Sequence, residues 1–145
     1  MKRARGLTWS VLCCVVVLAV AAGCASMESA PAAPLSPAKA LQPGDMAMLA
    51  GVWEGQARGA TGSGQFGGPP HTATVTLAPD GKYTSDLSGR QGAGNATITD
   101  GKLAFAGSFF SGVAALHERS GKQVLRGEGK LTGIDGTSQF ELTKR

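Results

Sequence analysis

The chain has 145 residues and a formal charge of +4, from 14 Lys and Arg against 10 Asp and Glu. Lys2, Arg3 and Arg5 supply three of those positive charges, leaving 11 basic against 10 acidic side chains, too even a balance for a nucleic-acid footprint. No polybasic run suggests attraction to anionic lipid either, and the roughly 122 residues beyond position 23 suffice for one domain.

The first element in chain order is a leader. Behind the basic head, Trp9 to Val20 is an apolar run, and small residues then lead to Ala21-Ala22-Gly23-Cys24. A basic head, a short apolar core and a small-residue cleavage site form the layout of a secretory signal peptide over 1–23. The run falls short of the about 20 residues a transmembrane helix needs. Ending on Gly-Cys, the segment resembles a bacterial lipoprotein signal, although Ala21 stands where that family prefers leucine. The resemblance implies cleavage before Cys24, lipid on that cysteine, and membrane attachment through it. The competing reading is an ordinary cleaved signal with an incidental cysteine. Two or more acyl chains would anchor firmly where one would not. Ala25 rather than aspartate follows the cysteine. In enterobacterial-type sorting this implies the outer membrane, facing the periplasm. Cys13 and Cys14 would leave with the leader, so Cys24 would be the one cysteine of the mature chain and no internal disulfide is expected.

Residues 24–44 read as the lipidated cysteine and a Pro/Ala-rich, disordered tether, with prolines at 31, 34, 37 and 43. Proline removes a backbone donor and disfavours helix at the residue before it. Asp45 is positioned to cap a short helical turn through Met46-Ala47-Met48-Leu49. From there the period is two. Thr72-Ala73-Thr74-Val75-Thr76-Leu77 alternates hydroxyl and apolar side chains, as a strand with one wet and one dry face does. Similar alternation recurs through Tyr83 to Leu87, Ala96 to Thr99, Leu103 to Phe105 and Phe140 to Leu142.

Asp80-Gly81, Asp100-Gly101, Ser120-Gly121 and Asp135-Gly136 are hairpin dipeptides, since tight hairpins need positive φ. They divide the region into eight strands, about 51–58, 71–79, 82–88, 94–99, 102–107, 112–119, 122–130 and 137–144. The expected fold of 45–145 is all-β, an eight-stranded antiparallel up-and-down barrel, which removes exposed sheet edges. A two-sheet sandwich is the alternative. The inward set expected is Trp53, Val75, Leu77, Tyr83, Leu87, Ile98, Leu103, Phe105, Val113, Val124, Phe140 and Leu142.

Gly51-Val52-Trp53-Glu54-Gly55 opens the first strand just after that helical turn. This resembles the calycin superfamily, meaning the lipocalins and their small bacterial lipocalin-like relatives. In that family the indole of Gly-x-Trp plugs the barrel base and a basic side chain from the last strand packs across it. The resemblance therefore implies that role for Trp53, with Lys144 or Arg145 as its cation. The long first loop, 59–70, sits where lipocalins carry a lid. Small bacterial metalloprotease inhibitors share the plan and a similar Trp motif, but usually carry a disulfide that is absent here.

Few residues suggest chemistry. Gly62-Ser63-Gly64-Gln65-Phe66-Gly67 matches G-x-G-x-x-G literally, but Gly68-Pro69-Pro70 follows where a dinucleotide site needs a helix. His71 and His117 fall short of the three or four ligands of a zinc site, and His117 reads as a surface side chain. No metal, no cofactor and no catalytic constellation is expected, so the function expected is non-enzymatic. The ligand-binding candidates are Trp53, Phe66, Tyr83, Phe109 and Phe110, the last two lying in the loop between Gly107 and Gly112. The favoured reading is a bacterial cell-envelope lipoprotein binding a small apolar ligand in a lipocalin-like barrel. Its alternative is a protein–protein module, protease-inhibitor-like or concerned with envelope assembly.

Overall fold

A computed structural model describes residues 32–59, 69–132 and 136–145. The leader, Cys24, the G-x-G-x-x-G loop and Phe66 lie outside the described residues. Eight strands follow one another around a closed barrel, each paired antiparallel with its sequence neighbour and β1 closing on β8. They are β1 (Gly51–Gly59), β2 (His71–Leu77), β3 (Lys82–Leu87), β4 (Arg90–Thr99), β5 (Lys102–Gly107), β6 (Phe110–Arg119), β7 (Lys122–Leu131) and β8 (Ser138–Lys144). The up-and-down order is the one expected; the sandwich is not formed.

Three two-residue hairpins have both central residues at positive φ: Ser88-Gly89, Asp100-Gly101 and Ser120-Gly121. Their backbone twist matches the right-handed twist of the strands they join. Gly81 also takes positive φ, in a four-residue loop where Asp80 accepts from the Lys82 backbone N–H at 3.0 Å. That bond, with the Lys82 ammonium 3.2 Å away, holds the Asp80 carboxyl below its ordinary range.

The turn before β1 begins earlier than expected. A 3₁₀ turn at Pro43–Asp45 leads into α1 (Met46–Leu49). Asp45 does not cap α1; its carboxylate accepts from the Gln42 backbone N–H at 2.8 Å instead.

Two core assignments are also corrected. Val113 faces out and is 42% exposed. Val124 pairs with outward-facing His117, so it lies on the outer face as well, although it is only 1% exposed. The inward row of β6 is Phe110, Gly112, Ala114 and Leu116, and Leu125 is its partner on β7. A parity error of one residue moves a whole strand's side chains to the other face. In β6 the small Ala114 faces in and the larger Val113 faces out, which defeats a reading by hydrophobic size.

The barrel unit extends N-terminally to residue 33, taking in part of the segment read as tether. β5 pairs with β6 only as far as Leu103↔Ala114, so the end of β6 overhangs with a free edge. Residues 36–41 run along that edge as a strap. Lys39 N–H donates to Leu116 O and Ser36 N–H to Glu118 O, both at 2.8 Å, while the Ser36 hydroxyl accepts from Glu118 N–H at 2.7 Å. His117 Nδ1 lies 2.8 Å from the Ser36 carbonyl; a carbonyl only accepts, so that nitrogen carries the proton. Leu41 then drops into the core, 2% exposed. Covering an unpaired strand edge removes a site for association with other chains.

Residues 33–145 thus hold the whole closed barrel, its strap and its core in one compact unit. Leu41→Ala is expected to cost about 2–4 kcal/mol and lower the thermal midpoint by about 10 °C. A thermal melt followed by far-UV circular dichroism checks this. An unchanged midpoint would mean that the strap only rests on the barrel.

Candidate functional site

The two ends of the barrel differ. At one end α1 and the strap cover the opening and Trp53 fills it, with no exposed surface. Trp53 lies between Val75 of β2 and Lys144 of β8. Its Nε1–H donates to Leu49 O at 2.8 Å, so the indole is hydrogen-bonded as well as packed. Lys144 places its ammonium 5.7 Å from the indole centroid and donates to the Met48 carbonyl. Arg145 instead turns outward to Glu54 at 3.0 Å. Of the two basic residues singled out, Lys144 lies across the tryptophan.

A layer of aromatic rings follows along the axis. Tyr83 and Phe105 meet edge to face at 5.2 Å, and Phe110 and Phe140 at 5.4 Å, with Phe105 bridging to both of the latter. Such geometry aligns ring edges with ring faces and favours a rigid layer. Inward glycines make room for it: Gly112 and Gly129 lie against the Phe110 ring and Gly127 against Phe140.

Beyond the rings, toward the other end, lies a chamber of about 40 Å³, walled by Ala57, Ala73, Val75, Leu87, Phe109 and Leu131 among others. By this measure a water needs about 10–15 Å³, so the chamber has room for about three such groups end to end. It shares Ala57, Leu87, Phe109, Leu131 and Ser138 with a wider mouth of about 310 Å³ at the open end. One polar atom in the wall stands out. The Ser85 hydroxyl is buried and has no hydrogen-bond partner among the described residues.

The candidate residues therefore part company. Phe109 and Phe110 line the chamber. Trp53 does not, because it sits at the plugged end. Tyr83 lies in the aromatic layer rather than on the chamber wall, and its hydroxyl donates to Phe110 O at 2.8 Å. Two residues at the site, Ser85 and Arg90, were not singled out in the sequence, and His71 was weighed there only as a zinc ligand. Arg90 fell in an expected loop between the strands at 82–88 and 94–99, because Gly89 and Gly92 imitate loop composition. Parity across the Ser88-Gly89 turn, where Arg90 opposes Leu87, is the signal that places it inward. Among the described residues no three His, Cys, Asp or Glu side chains come together to hold a metal.

Burial pushes the Tyr83 phenol above its ordinary value of 10.0. The folded state then keeps its proton where the unfolded chain has lost it. Stability from this group is full below about pH 10 and is lost as the pH rises through the folded value. Tyr83 is the one tyrosine in the chain, so its phenolate absorbance reads the titration directly. A folded-state midpoint at or below 10 would contradict the burial of that hydroxyl.

Comparison with protein-family models, curated proteins and solved structures finds no match. Geometry alone defines the class: an eight-stranded antiparallel barrel compatible with a calycin-like fold, plugged at one end by tryptophan and hollow toward the other.

Proposed function

We propose that this chain is a lipocalin-like binding protein of the bacterial cell envelope, lipid-anchored through Cys24, that carries a small apolar ligand without transforming it. The observation that supports the reading is the apolar chamber between the aromatic layer and the open end. Concave, mainly apolar sites with a few polar atoms are where small molecules bind. A chamber this small takes the end of a short aliphatic chain, and the rest of the ligand lies in the mouth. The signal-like leader, the Gly23-Cys24 junction and Ala25 support the anchor and an outer-membrane location facing the periplasm.

Calorimetric titration of residues 33–145 with octan-1-ol tests the carrier. Saturable binding that Ala73→Leu abolishes, with the fold retained by circular dichroism, is the expected result. Ala73 is buried in the chamber wall, so the larger side chain occupies the space the ligand needs. No saturable binding, or binding that survives the filled chamber, would direct the search to protein partners instead.

A further inference from the structure

We propose that the ligand carries an anionic head group, read at the rim of the barrel by Arg90 with His71 beside it, its short tail pointing into the chamber. This rests on the carrier reading above and specifies which small apolar molecules the site takes.

The argument begins with strand parity. On β4 the inward row is Arg90, Gly92, Gly94, Ala96 and Ile98, because Arg90 opposes inward Leu87 and Gly92 opposes Ser85. On β2 it is His71, Ala73, Val75 and Leu77, because His71 opposes Ala57. Both basic residues therefore belong to the face that lines the barrel, at its open end. An inward row serves packing, and a cation at its outermost position faces the mouth rather than bulk solvent alone.

By parity the inward rows of the eight strands hold one carboxylate, Glu118, which lies beyond Leu116 at the strap end of β6 and not at the mouth; the only other Lys or Arg on them is Lys144, over Trp53 at the plugged end. Asp86 also borders the chamber, but it belongs to the outward row of β3 and accepts from the Gly89 backbone N–H at 2.9 Å, whereas the charged side chain lining the mouth is Arg90. Among the described residues no carboxylate pairs with Arg90. Its guanidinium carbon lies 4.8 Å from the Phe109 ring centroid, and Phe109 walls both the chamber and the mouth. The ring thus holds the cation at the boundary between the apolar space and the rim. A guanidinium stacked on a ring still offers N–H donors along its edge, in a fork that fits a carboxylate or phosphate oxygen pair. His71 and Ser88, whose Nδ1 and Oγ are 3.4 Å apart, line the same mouth and add further hydrogen-bonding groups. The arrangement matches an amphiphile, with an apolar wall for a short chain and basic donors for its head.

The test compares one chain with three heads. Residues 33–145 are titrated calorimetrically at low ionic strength with octanoate, octan-1-ol and octylammonium. Octanoate is expected to bind about tenfold tighter than octan-1-ol, as a charge-assisted contact at an exposed rim allows, with octylammonium weakest. Raising the salt should narrow the gap. Arg90→Gln should bring octanoate down to the level of octan-1-ol, and Arg90→Lys should restore part of the difference. Circular dichroism verifies that each variant is folded, as substitution at an exposed position predicts. Equal affinities for octanoate and octan-1-ol in the unaltered protein would overturn the anionic head while leaving the carrier standing. So would a preference for octanoate that persists when Arg90→Gln and His71→Gln are combined. Failure of all three compounds to bind would overturn both readings.

Discussion

Trp53→Ala is expected to remove most of the stability of the barrel. The indole has no exposed surface, fills the plugged end and donates to the Leu49 carbonyl. Truncating a buried tryptophan costs about 3–5 kcal/mol, and a domain of this size has only about 5–15 kcal/mol in total. Two further losses follow from the geometry. The Leu49 carbonyl loses its donor, and the Lys144 ammonium is left facing a void in place of an aromatic face. Because α1 and the strap residue Leu41 pack on the same core, the void sits beneath the elements that close this end. Urea unfolding of residues 33–145 followed by far-UV circular dichroism measures the loss; fluorescence will not serve, since Trp53 is the one tryptophan of that unit. A loss below about 1 kcal/mol would show that the plug is dispensable, and would contradict the division of the barrel into a closed and an open end.

Gly127→Ala is expected to destabilise the fold by about 2–3 kcal/mol, although glycine to alanine within a strand ordinarily stabilises. Gly127 lies between Ala114 of β6 and Phe140 of β8. An added methyl group would stand 2.8 Å from the Ala114 Cα and 2.8 Å from the tip of the Phe140 ring, with the Val113 carbonyl closer still. Backbone cannot yield as a flexible side chain does, and Phe140 is tied into the aromatic layer. Gly59→Ala is the control, because among the described residues nothing lies within 4 Å of a methyl group there. The pair should shift the urea midpoint in opposite directions, or leave Gly59→Ala neutral. A neutral Gly127→Ala would mean that the ring layer is loose enough to rearrange.

Much of this architecture was legible because its local signals agree. Alternation in β2, in β3 and around Phe140 fixes which face is dry, and positive-φ dipeptides at 100–101 and 120–121 turn the chain where the pattern breaks. The resemblance of Gly51-Val52-Trp53 to the calycin motif also led to the tryptophan–cation stack at the plugged end, where Lys144 takes the part. The misreadings share a physical cause: glycine and alanine carry inward positions that a hydrophobicity pattern assigns to larger neighbours. Gly89 and Gly92 made the start of β4 look like loop, which hid the Ser88-Gly89 hairpin and with it the inward placement of Arg90. Ala114 and Val113 exchanged faces for the same reason.

The strap was concealed differently. Its prolines do read as extended chain, but sequence carries no sign of the free β6 edge that an extended chain can cover. That edge exists only because β5 stops short, a property of the assembled sheet. Likewise, the chamber is what remains after the four rings pack, and no single residue announces it. Trp53 and Tyr83 were natural candidates for ligand contact as large aromatic groups, yet the same size makes them filling. Each hydrogen-bonds to backbone within the core.

The central claim is that the open end of this barrel holds a small molecule. Native mass spectrometry of the unit 33–145, isolated gently from its native host, tests it most directly. The account predicts a mass above that of the bare chain, and a released ligand that is a short-chain amphiphile. A bare mass under the gentlest conditions, with none regained on adding octanoate, would contradict it.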